Sequence, residues 1–195
     1  MFNDLLVRGS EGLWEPTPVQ VGQLQRHYEL LVRWNKILNL TSVRDEREIV
    51  ERHFLESIFL GSHLPGGSLR IVDIGSGAGF PGVPVGIMRP ESSMTLIESH
   101  QRKAAFLKEV ARELPNLRVI AARAADVEEE FDWAISRAVA PDQLASALGR
   151  ATNALLLAGT SGPELIPGFS WQPAIKLPWG KQRYLWAGSS VSRGT

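Results

Sequence analysis

Apolar residues recur every three to four positions in two stretches near the start of the chain. The first opens with TPVQ, where Thr17 can cap a helix, Pro18 suits the first helical position and Gln20 can close a capping box. The second opens with a similar pair, Asp45 and Glu48, and continues through IVERHFLESIFLGSHL. These patterns predict that residues 1–65 form a helical extension.

The pattern changes after residue 65, where short apolar runs alternate with amphipathic stretches. The runs LRIVDIG, MTLIES, LRVIAARA and FDWAISRAV predict buried strands, and VPVGIMR and HQRKAAFLKEVAREL predict the helices between them. NALLLAG and RYLWAGS are candidate strands beyond residue 150. Because strands that alternate with helices need crossover connections, residues 66–195 are predicted to form one α/β domain with a doubly wound, mainly parallel, Rossmann-like sheet.

Composition narrows the class of protein. The chain has 195 residues, of which 44% are hydrophobic, and this suits one globular domain with a full core. No apolar run is long enough to span a membrane and no secretory signal is visible, so we expect a cytoplasmic protein without a membrane partner. Cysteine is absent and the four histidines are scattered, which predicts no metal site. Since the net charge is zero, a nucleic-acid partner would need a local basic patch.

The stretch IVDIGSGAGFPG raises the question of which ligand needs so bare a backbone. Gly77, Gly79 and Gly82 give a literal G-x-G-x-x-G match, which on its own suggests a dinucleotide. However, Pro81 and Pro84 remove backbone donors from the turn and helix start that would hold a pyrophosphate. A dinucleotide is therefore the less favoured ligand.

The pattern Asp73-x-Gly75-x-Gly77-x-Gly79 is typical of S-adenosylmethionine-dependent methyltransferases. That ligand carries no phosphate, and an aspartate at the end of a strand suits its amino group, directly or through water. Glu98 ends the second predicted strand, where an acid suits a pair of ribose hydroxyls. The plainer interpretation is a glycine turn with a solvated Glu98.

Four stretches, WNKILNLTSVRD, RHFLESI, VDIGSGAGFPGVPVGIMRPE and FDWAISRAVA, occur in this order. From about Trp34 to Ala140 the chain resembles the bacterial glucose-inhibited division protein B family, the 16S ribosomal RNA guanine-N7 methyltransferases. The resemblance implies S-adenosylmethionine as cofactor and 16S rRNA or the small subunit as partner, with Glu98 at the ribose. It also implies cofactor contacts at Gly75, Phe80, Ala124, Ala125 and Arg137. The family's lysine-glycine pair after residue 150 is missing from LLLAGTSGPE.

The chemistry of guanine N7 asks little of the protein in acid or base catalysis. This atom has an in-plane lone pair and no proton, so methyl transfer needs alignment of the reactants. No nucleophile or catalytic dyad is evident, and Arg137, at the ligand end of a predicted strand, is the candidate positioning residue. A structural ion pair is the other interpretation of Arg137.

Candidate RNA-binding residues lie in two local groups, Arg44, Arg52 and His53 in the extension and Arg102 and Lys103 after Glu98. Arginine can pair with guanine O6 or with phosphate. A solvated surface charge is the alternative for the basic residues, and a packed side chain is the alternative for His53. For the whole protein, the open alternatives are a methyltransferase for another RNA or a small molecule, and an RNA-binding protein without catalysis.

Overall fold

The structure is a computed structural model that describes residues 1–137, 141–160, 162, 166 and 168–191. Its strands are β1 Arg70–Ile74, β2 Ser93–Ile97, β3 Leu117–Ile120, β4 Phe131–Arg137, β5 Ala151–Ala158, β6 Phe169–Trp171, β7 Ile175–Lys176 and β8 Tyr184–Ser190. Its α-helices are α1 Phe2–Ser10, α2 Pro18–Leu38, α3 Glu46–Ile49, α4 Glu56–Ser62, α5 Gly82–Met88, α6 Gln101–Ala111 and α7 Pro141–Leu148. A π-helical segment, Val50–Leu55, joins α3 to α4, and a 3-10 turn, Ala124–Asp126, follows β3.

The strands form one sheet in the order β3-β2-β1-β4-β5-β8-β6, and β7 also pairs with β8. The pairs among β1 to β5 are parallel, whereas β8 runs antiparallel to β5, β6 and β7. From β1 the chain moves outward through β2 and β3, then returns to the other side of β1 for β4. This is the predicted doubly wound, mainly parallel α/β sheet, and the reversal places a ligand crevice at the carboxyl ends of β1 and β4.

Local signals predicted the starts of α2 and α3 in the extension well. Oγ1 of Thr17 accepts from the backbone N–H of Gln20, and the Gln20 side chain accepts from the N–H of Thr17, so the predicted capping box is present. Asp45 accepts from the N–H of Glu48 at 2.9 Å and caps the next helix. That helix continues through the π-helical segment and ends at Ser62.

The sheet differs from the prediction mainly at its edges. β3 ends at Ile120 and does not continue to residue 124, because its neighbour β2 ends at Ile97, which is paired with Ile120. The last two residues of the predicted run FDWAISRAV lie outside the described residues. Both late candidate strands are confirmed, as β5 and β8, whereas α1, α7, β6 and β7 were not predicted.

The extension shares an apolar core with one face of the sheet, and a second buried cluster lies on the other face. A single cluster contains Leu24 of α2, Phe54 of the π-helical segment, Val83 of α5 and Phe106 of α6, all fully buried. Burial of side chains of this size contributes about 1.5–3 kcal/mol each. The division of the chain at residue 65 stays a prediction from the sequence. Within the described ranges, no helix is both long and apolar enough to cross a membrane.

Candidate functional site

The glycine-rich loop connects the end of β1 to the start of α5. Gly75, Gly77 and Gly79 have φ angles of 69°, 55° and 87°, a region that favours glycine. The loop is closed on itself by the N–H of Gly79, which donates to the C=O of Ser76 at 2.7 Å. The N–H of Ser76 donates to the C=O of Ile97 at 3.0 Å and ties the loop to the end of β2.

Two of these glycines are needed for different reasons. A Cβ on Gly79 would lie 2.8 Å from a methyl group of Val83 and 3.0 Å from Nε2 of His27, so packing requires glycine there. A Cβ on Gly77 would meet nothing closer than the C=O of Gly75 at 3.8 Å. Space beside Gly77 is therefore open among the described residues.

Asp73, at the end of β1, is fully buried beneath this loop. Its Oδ2 accepts from the N–H of Gly82 at 3.0 Å, and its Oδ1 has no hydrogen-bond partner among the described residues. Burial raises the pKa of Asp73 to about 7, against the lowering effect of hydrogen bonds that include the Gly82 N–H. A cationic donor near Oδ1 would favour the ionised carboxylate.

Glu98 ties the loop to the region after β2. Its Oε2 accepts from the N–H of Gly77 at 2.9 Å, and its Oε1 accepts from the N–H of His100, just before α6, at 2.7 Å. A carboxylate oxygen has two lone pairs, so each of these atoms keeps capacity to accept from a hydroxyl group. The acid thus fixes the loop without using up its acceptors.

Arg137 lies at the carboxyl end of β4 and contacts the extension. Its Nη1 donates to the C=O of Arg52 at 2.6 Å and to Nδ1 of His53 at 2.8 Å. Its guanidinium carbon lies 5.3 Å from the centre of the Phe80 ring, within the range of a cation–π contact. Burial lowers the pKa of Arg137 to about 10, with the charge of Glu56 opposing the shift, so the side chain stays cationic at neutral pH.

These contacts determine the protonation of His53. A guanidinium can only donate, so Nδ1 of His53 accepts and the ring proton lies on Nε2, which is 2.8 Å from Oγ1 of Thr41. Thr41 is held in turn by Asn35, whose side-chain amide bonds both its N–H and its C=O at 3.0 Å. Burial, and then the charge of Arg137, lower the pKa of His53 to about 3. The signature WNKILNLT thus supports the histidine that contacts Arg137.

The family model described as rRNA small subunit methyltransferase G (GidB) matches residues 20–156. The chain belongs to this family. The resemblance seen in the sequence is therefore confirmed, and the matched range contains every residue of the site described so far.

Individual members of the rRNA small subunit methyltransferase G family agree with this. The protein of that name from Chromobacterium violaceum is 44% identical over 128 residues, which is 64% of this chain and 61% of that protein. The one from Vibrio vulnificus is 40% identical over 139 residues, 67% of this chain and 65% of that protein. The chain thus spans about three fifths of the length of these relatives. A solved structure, a SAM dependent methyltransferase from Aquifex aeolicus, has a TM-score of 0.53 at 15% identity over 63% of this chain and 82% of that one, and supports the predicted fold.

The residues that the family resemblance implies as cofactor contacts differ in their exposure to solvent. Phe80 is buried, with its ring centre 4.7 Å from that of His27 and 4.9 Å from that of His53, so its backbone is the part left for a ligand. Ala124 is half-buried and Ala125 is exposed, both in the 3-10 turn after β3. These contacts, with those of the loop, Glu98 and Arg137, stay predictions.

The RNA-binding candidates flank the same edge of the sheet. Arg52 forms an ion pair with Glu48 at 2.6 Å, and Arg44 donates to the C=O of Thr41 at 2.9 Å, while both remain exposed. His53 is 6% exposed, and its Nδ1 accepts a hydrogen bond from Arg137, so in this arrangement it contacts Arg137 and is not a surface residue. The other group, Arg102 and Lys103 at the start of α6, is exposed and half-buried respectively.

Sequence reasoning missed three residues of the site. His27 is buried and its Nε2 lies 2.9 Å from the C=O of Ala78 in the loop; burial lowers its pKa to about 4. Glu56 is buried and forms an ion pair with Arg183, which precedes β8. His27 and Glu56 are ionisable residues at helical positions that are otherwise apolar, and this pattern could have marked them as candidates. No local pattern in the sequence marks Arg183.

Proposed function

We propose that this chain transfers a methyl group from S-adenosylmethionine to N7 of a guanine in 16S ribosomal RNA, in the cytoplasm, where ribosomal subunits are made. The observation that carries the proposal is the convergence of Asp73, Gly77, Glu98 and Arg137 at the carboxyl ends of β1, β2 and β4 in a member of this family. The names of the relatives support small-subunit rRNA as the substrate.

The residues at this edge fit the proposed cofactor. The unpartnered Oδ1 of buried Asp73 suits an ammonium group, directly or through water, and the remaining acceptor capacity of Glu98 suits ribose hydroxyls. The open space beside Gly77 suits a ligand that approaches the backbone closely. When bound, S-adenosylmethionine would supply a methyl group on a positively charged sulfur. Gly75, Gly79, Phe80, Ala124 and Ala125 are proposed to complete this surface.

The chain's own residues are proposed to align the reactants. Guanine N7 presents a lone pair without a proton, so the protein need not remove one, and alignment alone can account for much of a rate enhancement. Arg137 has a planar fork of donors that suits the cofactor or guanine O6. Its neighbour His53 is neutral throughout the physiological range and therefore serves as a fixed acceptor.

The RNA must present its guanine in an accessible form. In paired RNA, N7 lies in a deep and narrow groove that side chains cannot read. We therefore propose that the target lies in an open loop or is turned out of its stack. We propose that the flanking phosphates are contacted by Arg44 and Arg52 on one side and by Arg102 and Lys103 on the other.

Methyl transfer with a labelled donor tests the proposal. The protein is incubated with labelled S-adenosylmethionine and with small subunits or free 16S rRNA from a strain that lacks it. N7-specific chain cleavage then locates the mark, and the variant Arg137→Ala serves as the control for site-dependent transfer. Label in another RNA or a small molecule would establish the alternative substrate, and RNA binding without any label would establish a non-catalytic protein.

A further inference from the structure

Glu56 is a buried carboxylate that two arginines share. It lies at the start of α4 with 1% of its side chain exposed, and its Oε2 accepts an ion-pair hydrogen bond from Nη2 of Arg183. The same Oε2 lies 4.0 Å from Nη1 of Arg137. Burial raises the pKa of Glu56, and the charges of Arg183 and then Arg137 oppose the shift. The two cations therefore offset part of the cost of burying this acid.

Ion-pair contacts link three side chains in the order Arg183, Glu56 and Arg137. They connect the segment before β8 to the carboxyl end of β4. At the inner end, the close partners of Arg137 among the described residues are two neutral acceptors, the C=O of Arg52 and Nδ1 of His53. Glu56 is the first among the charges that favour the cationic form of Arg137. Glu56 thus supplies the counter-charge for Arg137, and Arg183 supplies the close counter-charge for Glu56.

We propose that Glu56 and Arg183 are positioning residues for Arg137. The inference rests on the proposed function, in which Arg137 aligns the cofactor or the guanine. Because Arg183 holds Oε2 of Glu56 by the shorter of its two contacts, the carboxylate stays at the outer limit of an ion pair with Arg137 and leaves the guanidinium fork on Arg52 and His53. Without Arg183, the buried carboxylate would close on Arg137 and draw its fork away from those two acceptors.

The opposite change also misplaces Arg137. In Glu56→Gln, the guanidinium groups of Arg137 and Arg183 lose the carboxylate charge that both of them face. The two cations then repel each other, and this repulsion displaces the guanidinium of Arg137. Both substitutions therefore move the same side chain, Arg137, and the loss of Arg183 does so through Glu56. A purely structural role, such as holding β8 to α4, would instead lower stability without acting through Arg137.

A double-mutant cycle separates these roles. Single-turnover methyl transfer to 16S rRNA is measured for the wild type, Arg183→Ala, Arg137→Ala and the double variant, because labelled donor allows very slow rates to be followed. We expect Arg183→Ala to slow transfer by about tenfold or more when Arg137 is present. Added to Arg137→Ala, the same substitution should slow transfer by less than about twofold. Arg183→Lys should recover part of the rate. Arg70→Ala, which breaks an exposed ion pair with Asp132 at the other end of the sheet, is the matched control and should leave the rate unchanged.

A second measurement keeps the inference separate from the proposed function. The Nε–H resonance of Arg137 in nuclear magnetic resonance spectra, assigned by its loss in Arg137→Ala, should shift in Arg183→Ala and in Glu56→Gln but not in Arg70→Ala. If the wild type methylates nothing but this resonance shifts as expected, the proposed function fails and the positioning network stands. An unmoved resonance, or equal slowing by Arg183→Ala in both backgrounds, would overturn the inference. Glu56→Gln keeps the side-chain volume and decides the matter if Arg183→Ala does not fold.

Discussion

The guanidinium of Arg137 lies 2.8 Å from Nδ1 of His53, and this contact fixes the imidazole in its neutral form. A proton on Nδ1 would face the N–H groups of the arginine, so protonation would break the bond and place two cations together. The ring proton is therefore confined to Nε2, beside Thr41. A histidine in this setting can hold an arginine in place but cannot exchange protons near neutral pH.

The rate of the chemical step should accordingly be insensitive to pH. The pKa values of His27 and His53, about 4 and about 3, lie below the range in which histidines usually titrate. In single turnovers with saturating cofactor we expect a nearly constant rate from roughly pH 6.5 to 8.5, since no proton leaves guanine N7. A steady gain of about tenfold per pH unit would show instead that a base removes a proton.

The buried acid Asp73 should make the unliganded protein less stable as pH rises. Its pKa is raised from 3.8 to about 7, so between these values the folded state keeps a proton that the unfolded state has lost. This group's penalty is absent below about pH 4 and complete above about pH 7. Asp73→Asn cannot ionise, and should raise the free energy of unfolding more at pH 8 than at pH 5, by on the order of 2 kcal/mol. The same variant should bind S-adenosylhomocysteine more weakly, because the amide carries no charge for the ammonium.

Urea unfolding at the two pH values, with calorimetry for the ligand, checks both halves of this expectation. Asp132→Asn is the control, because bonds from Arg70 lower the pKa of Asp132 and both pH values lie above its titration. Its effect on unfolding should be the same at pH 5 and pH 8. An equal effect of Asp73→Asn at the two pH values would contradict the raised pKa.

The open space beside Gly77 predicts a loss of ligand binding without a loss of folding. Gly77→Ala adds a methyl group that meets no protein atom closer than 3.8 Å, yet we expect calorimetry to show weaker binding of S-adenosylhomocysteine. Gly77→Val, with a β-branched side chain at positive φ, should abolish binding. Gly12→Val imposes similar backbone strain at a φ of 76°, also in open space, and should leave binding intact. Unchanged affinity in a folded Gly77→Val would show that the ligand lies elsewhere.

Loss of the guanidinium fork should stop methyl transfer. We expect Arg137→Ala to remain folded and to lose activity on the order of a hundredfold, as when a directed donor is removed from a reaction centre. Arg137→Lys should recover little, because a single ammonium cannot reproduce the planar arrangement of donors. The rate is measured by labelled methyl transfer and the fold by thermal unfolding. Near-normal turnover in the alanine variant would reject the assignment.

The elements that the sequence predicted well are those fixed by neighbouring residues. The capping box at Thr17 depends on side chains three positions apart, and the turn of the glycine loop depends on the backbone freedom of closely spaced glycines, so both can be read locally. α1 was missed because a nine-residue helix without a side-chain cap depends on packing, in this case of Phe2 and Leu6. A π-helical segment cannot be told from an α-helix by apolar spacing, although it holds the C=O of Arg52 that Arg137 contacts.

The part of the site that sequence reasoning left out is long-range. Arg183 meets Glu56 across 127 positions, and His27 meets Ala78 across 51. Such contacts exist only once the chain is folded, and a single sequence carries no local trace of the partner. The burial of Asp73 and its unpartnered oxygen belong to the same class, since they depend on the loop and α5 closing over the end of β1.

The shared core also bears on the order in which the protein can take shape during translation. Leu24, His27 and Phe54 leave the ribosome before Phe80 and Phe106, the later residues that cover them. Since most of a helix's stability comes from packing of its apolar face, we expect the amino-terminal helices to stay partly uncovered until α6 has been made. A protein proposed to methylate ribosomal RNA would thus acquire its own ligand-binding edge only after β4, which carries Arg137, had itself emerged from a ribosome.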